Sequence, residues 1–461
     1  MGGERRRAPR WGRTGLIGRI PVGTAGSGVE KCRGARNGAP GCNRFRRRHV
    51  RVMKGVSMPQ RIPTRIAHSV PGASALVVVL FGVAALSACS GGSHSAAPTT
   101  RAGSTVTTRT HAPPSSVPVT APVTTSTTLA PSNPTAGVYA YDGVGQFSPA
   151  VAGVPTRVYV PNSDANTVDV IDPNTYTVID HYPVGVLPNH VVPSWDLKTL
   201  YVNNTKGNSL TPIDPMTGKP GAPIPVTDPY NLYFTPDGSR AIVVAERFQR
   251  LDFRDPHTWA LIGSVDVGHK GPNHLDFSPD GKTLLVACEF SGWVVRVDVA
   301  SMKVTGELNV GEQPIDTRIS PDGSVYFVAN QGRNGVSVID PVAMKELQFI
   351  PTGRGAHGEY PNRDGTKLYV SNRGEGTISV IDFATRTVVA KWNIGGSPDM
   401  GGVSADGKQL WLSGRYNGVV YVVDTTTGAL LHTIEVGRGP HGLAFFPQPG
   451  RYSLGHTGNY R

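Results

Sequence analysis

Leu368-Tyr369-Val370-Ser371-Asn372 and, four residues on, Thr377-Ile378-Ser379-Val380-Ile381-Asp382 are two short runs whose side chains alternate with period two. Alternation of this kind marks half-buried β-strands. Asp364-Gly365 stands before the first run and supplies the positive-φ positions of a tight hairpin. The run that ends in Asp382 has six counterparts, ending at Asp172, Asp214, Asp255, Asp298, Asp340 and Asp424, at intervals of 42, 41, 43, 42, 42 and 42 residues. A second column, Asn162, Asn204, Glu246, Cys288, Asn330, Asn372 and Gly414, steps by 42 throughout. Asp-Gly turns recur at 237–238, 280–281, 322–323 and 406–407, and no segment carries a convincing helical period.

Self-similarity at this period belongs to propellers and solenoids. Four short antiparallel strands per unit select the propeller, whose closed ring leaves few exposed edges. The expected fold is therefore all-β, a seven-bladed β-propeller of four-stranded antiparallel blades. The first unit starts at its second strand (157–162), and the last hairpin adds a first strand at 441–446. The N- and C-terminal strands should therefore share a blade and latch the ring. Residues 451–461 are left over and are expected to form an additional strand or a cap.

The strand Tyr369-Val370-Ser371-Asn372, its sibling Tyr201-Val202-Asn203-Asn204, and the surrounding Ser-Pro-Asp-Gly-Lys and Val-Ile-Asp patterns resemble the YVTN-type β-propeller repeat family. The resemblance covers about 156–450. Relatives of this architecture include surface-layer proteins, extracytoplasmic binding proteins, lactonases and the haem-carrying propeller of nitrite reductases. Fold alone does not select among these activities.

The net charge of +12 suggests a nucleic-acid binder until it is divided by segment. Residues 1–57 hold fifteen Lys/Arg against Glu4 and Glu30, and the rest of the chain holds 30 basic and 31 acidic residues. The chain from Cys89 onward has 28 against 31, which argues against nucleic acid as a partner. Residues 1–57 read as a basic low-complexity leader upstream of the expected start, at Met58 or Met53. From there Arg61 and Arg65 form a positive region and 73–86 an apolar one, as in a signal peptide (58–88). The sequence Leu86-Ser87-Ala88-Cys89 resembles the bacterial lipobox, which implies a lipid on Cys89 and an extracytoplasmic, membrane-anchored protein. Residues 89–136 then form a Ser/Thr/Pro-rich tether and 137–461 the propeller. Cys32 and Cys42 fall in the leader, so Cys288 stands alone in the folded part and makes no internal disulfide. A monomer is expected.

The chemistry concentrates where each blade begins. A His or Asp stands first or second after the loop proline (Ala356 in one blade) in six of seven units: His190, His274, Asp316, His357, Asp399 and His441; Asn231 stands in the seventh. These should converge on one channel mouth as ligand or divalent-metal candidates, with haem a weaker alternative. Arg354, Arg438, Arg373, Arg415 and Lys270 on the same face are anion-binding candidates. Ordinary channel lining, with each histidine bonded to a loop carbonyl, is the plain alternative. The Asp-Gly face reads as simple turns, and the column Asp residues as turn caps. No phosphate loop, nucleophile elbow or His-Glu-x-x-His is present. The first functional expectation is an exported, lipid-anchored binding or scaffold protein for a small anion, metal or protein partner. The alternatives are a lactonase-like hydrolase, with the Glu246/Glu289 pair and His274 at its centre, and a haem- or metal-dependent redox propeller.

Overall fold

A computed structural model describes residues 134–456 and 459–461. The leader, the signal peptide, Cys89 and the tether up to residue 133 lie outside the described residues. Seven four-strand antiparallel sheets follow one another along the chain. The ring is latched as the repeat phase requires: strand Ala444–Phe446 pairs with Arg157–Asn162, which continues to Thr167–Asp172 and Thr177–Pro183. One blade departs from the pattern. Its outer strand is broken into Lys219–Pro220 and Ile224–Pro225, because prolines at 220, 223 and 225 cannot donate to the ladder.

Burial runs from the axis outward. Inner strands such as Pro272–Phe277 are buried on both faces, whereas outer strands such as Lys303–Asn309 alternate exposed and half-buried positions. The inner layers pack blade against blade. Leu251 and Phe253 meet Leu284, Val286 and Val297 across one such seam. Hydrophobic burial between twisted neighbours thus replaces the disulfides that the fold lacks.

The column residues act locally. Asp382 Oδ1 accepts from the Thr385 amide at 2.9 Å, and Asp424 from Thr426 and Thr427 at 2.9 and 2.7 Å. Asn372 Nδ2 donates to Thr377 and Ser379, both at 3.0 Å, tying the second strand to the third. Burial pushes the Cys288 thiol up, so it is an inert core side chain.

The Asp-Gly face differs from its sequence reading. Its glycines do hold the expected turns, with Gly238, Gly281 and Gly365 at φ 69, 68 and 68°. However, other chain segments lie against it. The Val138 amide donates to Pro321 O at 2.9 Å and Tyr139 Oη to Ile319 O at 2.6 Å. The C-terminal residues lie beside this segment, the Gly450 amide donating to Gln146 O at 2.9 Å. Residues 453–456 and 459–461 lie against each other, bridged at Ser453 and Tyr460, and the first of these runs adds to the inner strand Pro229–Phe234 through Phe234 N to Leu454 O and His456 N to Leu232 O, both 3.0 Å. Period alone could not foresee this, because both segments lie outside the repeat.

Candidate functional site

Each inner strand carries its polar residue at an irregularity. Pairing with the second strand jumps from Pro188 to Val191, from Pro272 to Leu275, from Pro314 to Thr317, from Ala356 to Glu359 and from Pro398 to Gly401. The skipped positions hold His190, His274, Asp316, His357 and Asp399. A bulge re-aims a side chain out of the sheet's regular alternation, and here the polar residue is the second skipped position for His190, His274 and Asp316 and the first for His357 and Asp399. His190 also needs a glycine beside it: a Cβ on Gly442 would fall 2.0 Å from His190 Nδ1.

The six candidates are all buried, and they divide into two groups. In the first, His190 and His274 meet ring to ring at 5.1 Å, and His456 of the C-terminal hairpin joins them at 5.5 and 4.4 Å. One ring nitrogen from each of the three lies within 4.8 Å of the others. Both nitrogens of His190, both of His274 and Nε2 of His456 have no hydrogen-bond partner. The Asn231 amide sits 3.2 Å from His456 Nδ1, and Asp316 Oδ1 is 3.5 Å from its Nε2. Burial holds all three imidazoles well below their usual pKa, so they are neutral with one lone pair each, and that of His456, on Nδ1, accepts from the Asn231 amide.

The second group is built around Asp399. His357 Nδ1 lies 2.8 Å from Oδ1, Arg373 Nη1 is 3.4 Å from both oxygens, and Arg415 Nε and His441 Nε2 stand at 3.9 and 3.8 Å. Burial alone would raise this carboxyl, but the His357 ring and the permanent charge of Arg373 hold it well below the usual range. Arg373 and Arg415 are thus drawn inward toward Asp399, whose one negative charge offsets only one of their two positive charges. Arg354, Arg438 and Lys270 remain exposed and do not join either group. The two groups touch through His441, whose ring lies 4.8 Å from His190 and whose Nδ1 is unpartnered.

Above them, Tyr230 lies 5.4 Å from the His190 ring and its neighbourhood includes Glu246 and Glu289. Asn273 Nδ2 donates to Glu289 Oε2 at 2.7 Å. Burial pushes the Glu246 carboxyl up to about 8, with Glu289 adding to the rise. Burial also pushes Glu289 up to about 7, against the opposing pull of Arg373. The folded protein therefore keeps a proton on Glu246 that the unfolded chain releases near 4.5, so stability falls as pH rises from there toward about 8 and then levels. Glu246→Gln is expected to remove that slope, gaining on the order of 1–2 kcal/mol over the parent at pH 8, less than the full shift because the carboxyl is partly solvated. Urea denaturation between pH 5.5 and 8.5 measures it; parallel curves for the two proteins would refute the assignment.

Sequence reasoning missed His456, which stands outside the 42-residue register, so only its position in the leftover tail marked it. It also missed the layer below. Glu359 is buried with both carboxylate oxygens unpartnered and is pushed well above its usual range by burial, so it stays protonated. Asp276 receives Arg461 Nη2 at 2.8 and 3.1 Å. Neither residue belongs to a motif that spacing could reveal.

A family model described as YNCE-like beta-propeller matches residues 119–449. No curated protein matches the chain. Among solved structures, a functionally unknown protein from Desulfotomaculum acetoxidans DSM 771 is similar at 17% identity and TM-score 0.56, over 63% of this chain and 98% of that one. A suggested 6-phosphogluconolactonase from Bacteroides uniformis ATCC 8492 is similar at 18% identity and TM-score 0.53, over 62% and 98%. At these identities the likeness concerns the fold.

Proposed function

The chain belongs to the YNCE-like beta-propeller family, and from that premise we propose that it is an exported, lipid-anchored binding protein whose ligand is a divalent transition-metal ion held by His190, His274 and His456. The observation that carries the reading is that three buried imidazoles each bring one ring nitrogen within 4.8 Å of the others, with no hydrogen-bond partner for either nitrogen of His190 or His274. An unpaired buried polar group costs about 1–3 kcal/mol, so an ion that takes one nitrogen from each ring would offset part of that cost. Ordinary channel lining would have bonded each ring to a carbonyl. Three imidazoles without thiolate suit zinc, copper, nickel or iron and disfavour magnesium or calcium, which take oxygen ligands. Three protein nitrogens leave one coordination position for water or a ligand atom, with Asp316 alongside.

The test is elemental analysis of protein purified without a metal-affinity tag, followed by titration of the metal-free protein with cobalt(II). One equivalent per chain is expected, with the visible bands of a nitrogen-ligated ion. Absence of binding across zinc, copper, nickel and cobalt would end the reading. A small anion at the mouth is the second reading, favoured by the unpartnered Nη1 of Arg415 beside Nδ1 of His441. The same titration with inorganic phosphate separates the two.

Export and anchoring rest on the apolar 73–86 stretch and Leu86-Ser87-Ala88-Cys89. Expressed with its own leader in a bacterium, the protein should partition into detergent and carry a diacylglyceryl group on Cys89. Cys89→Ser should release it to the aqueous phase. Detergent partition unaffected by that change would refute the anchor.

A further inference from the structure

Asp399 is a single buried carboxylate faced by two guanidiniums, so its cluster carries more positive charge than it neutralises. We infer that Arg415, Arg373 and Nδ1 of His441 form a binding site for a small monocarboxylate, and that the Glu289 side chain competes with that ligand for the same guanidiniums. The inference rests on the anion reading above and deepens it; it holds whether or not an ion binds the three imidazoles.

The two arginines are held differently. Arg373 reaches both oxygens of Asp399 at 3.4 Å and donates through Nη2 to Gln331 Oε1. Arg415 Nε stands 3.9 Å from Asp399 Oδ2, beyond hydrogen-bond reach, and its Nη1 is buried without a partner. Nδ1 of His441, on a ring only 4% exposed, has no partner either. A donor on a charged group loses more than a neutral one when it is buried without an acceptor. The acceptor that a guanidinium fork fits best is the planar oxygen pair of a carboxylate. A neutral His441 can carry its proton on Nδ1 and donate it to the same group. Two permanent positive charges against Asp399 leave one to be met, which selects a monoanion over a dianion. Access follows from burial. Asp399 has no exposed side-chain surface, whereas Arg415 and Arg373 keep 23% and 13% of theirs.

Glu289 is the protein's own competitor. Burial raises its carboxyl to about 7; Arg373 and, more weakly, Arg415 pull against burial, while Asp399 adds to it. Asn273 donates to Glu289 at 2.7 Å, and Glu246 and Tyr230 complete its titratable surroundings. Ionised, Glu289 supplies the missing negative charge itself. Protonated, it leaves both guanidiniums to a ligand. A bound carboxylate disfavours ionisation of Glu289, and ionised Glu289 weakens binding by the same factor. Binding therefore takes up a proton wherever Glu289 is ionised in the free protein. Affinity is greatest below about 7 and falls above it, by up to about tenfold per pH unit. Glu246, raised to about 8 by burial and by Glu289, acts in the same direction at higher pH.

The experiment is a titration of the full chain with carbon-13-labelled acetate, followed by NMR at constant ionic strength between pH 6 and 8.5. Acetate stays ionised throughout, so any pH dependence belongs to the protein. One saturable site per chain is expected, weakening at least about tenfold across the range. Arg415→Gln should lose about tenfold or more in affinity, as for a lost hydrogen bond to a charged group. Glu289→Gln should bind acetate at pH 8.5 nearly as tightly as the parent does at pH 6, a gain that misfolding cannot produce. If acetate binds but Arg415→Gln leaves its affinity unchanged, or Glu289→Gln leaves the pH slope, the assignment is wrong and the anion reading stands on other residues. If inorganic phosphate binds and acetate does not, the monocarboxylate is wrong and the anion reading survives. If neither saturates, the anion reading falls and this site falls with it.

Discussion

Replacing His274 by alanine is expected to abolish stoichiometric cobalt(II) binding while leaving the metal-free protein about as stable as the parent. The two halves of that expectation have separate causes. Loss of an outer-shell partner commonly costs roughly 10–100-fold in affinity, and loss of one ligand out of three should exceed that. Stability responds differently because neither nitrogen of His274 makes a hydrogen bond, so no pairing is broken when the ring is removed. What remains is a cavity beside His190 and His456, set against relief from burying an unpaired polar ring. With metal present the contrast should be large. An ion at one hundred times its dissociation constant stabilises the parent by about 2.7 kcal/mol, and the variant gains nothing. Thermal unfolding with and without cobalt reads this directly. A variant that is strongly destabilised without metal, or one that still shifts on adding cobalt, would make His274 a structural residue. His190→Ala should behave in the same way.

The second large effect is expected at the opposite end of the channel. Asp276 is fully buried and accepts from Arg461, from Asn459 at 3.4 Å, and from the Phe277 and Ile319 amides at 2.8 and 3.0 Å. Arg461 is also buried. Its other contacts are the Tyr460 carbonyl, the Asn459 side chain and the face of Tyr139, 4.9 Å away. Asp276→Ala strands that guanidinium away from water, and breaking a buried pair by removing one partner costs about 3–5 kcal/mol. The same change should loosen residues 453–461, since Arg461 closes the hairpin by bonding Tyr452 in both directions. Urea denaturation gives the magnitude. In the double variant with Arg461→Ala the losses should fall short of additive, because both changes remove one interaction. A loss under about 1 kcal/mol for Asp276→Ala would mean that Arg461 is not docked against Asp276 in solution.

The ring was legible because its cause is local and repeated. Period-two runs such as Thr377 to Asp382, Asp-Gly turns and the 42-residue step each reflect short-range backbone chemistry. Seven copies of that chemistry have one closed solution, and the phase of the first and last units fixed the latch at Ala444–Phe446. The gathering of His190, His274 and Asp316, and of His357, Asp399 and His441, followed from the same phase, since each set repeats one position of the blade and the two positions are adjacent in the chain.

Which of those residues act together was only partly legible. The tertiary structure gathers His190 and His274 with His456, and His357 and His441 with Arg373 and Arg415 around Asp399. It also leaves Arg354, Arg438 and Lys270 at the surface. The spacing carries a trace of the division, since His190, His274 and Asp316 stand whole 42-residue steps apart and His357, Asp399 and His441 form a second such set one residue out of register, but the pairings within each set depend on distances of a few ångströms between side chains from different blades. The hairpin that delivers His456 shows the same limit most plainly. It lies outside the repeat, and its place is set by long-range contacts at Leu232, Leu454 and Asp276. The sequence by itself determined the periodic frame, because that is a sum of local preferences. The centre of the channel was decided by packing at long range, where the chain's last residues meet its inner strands.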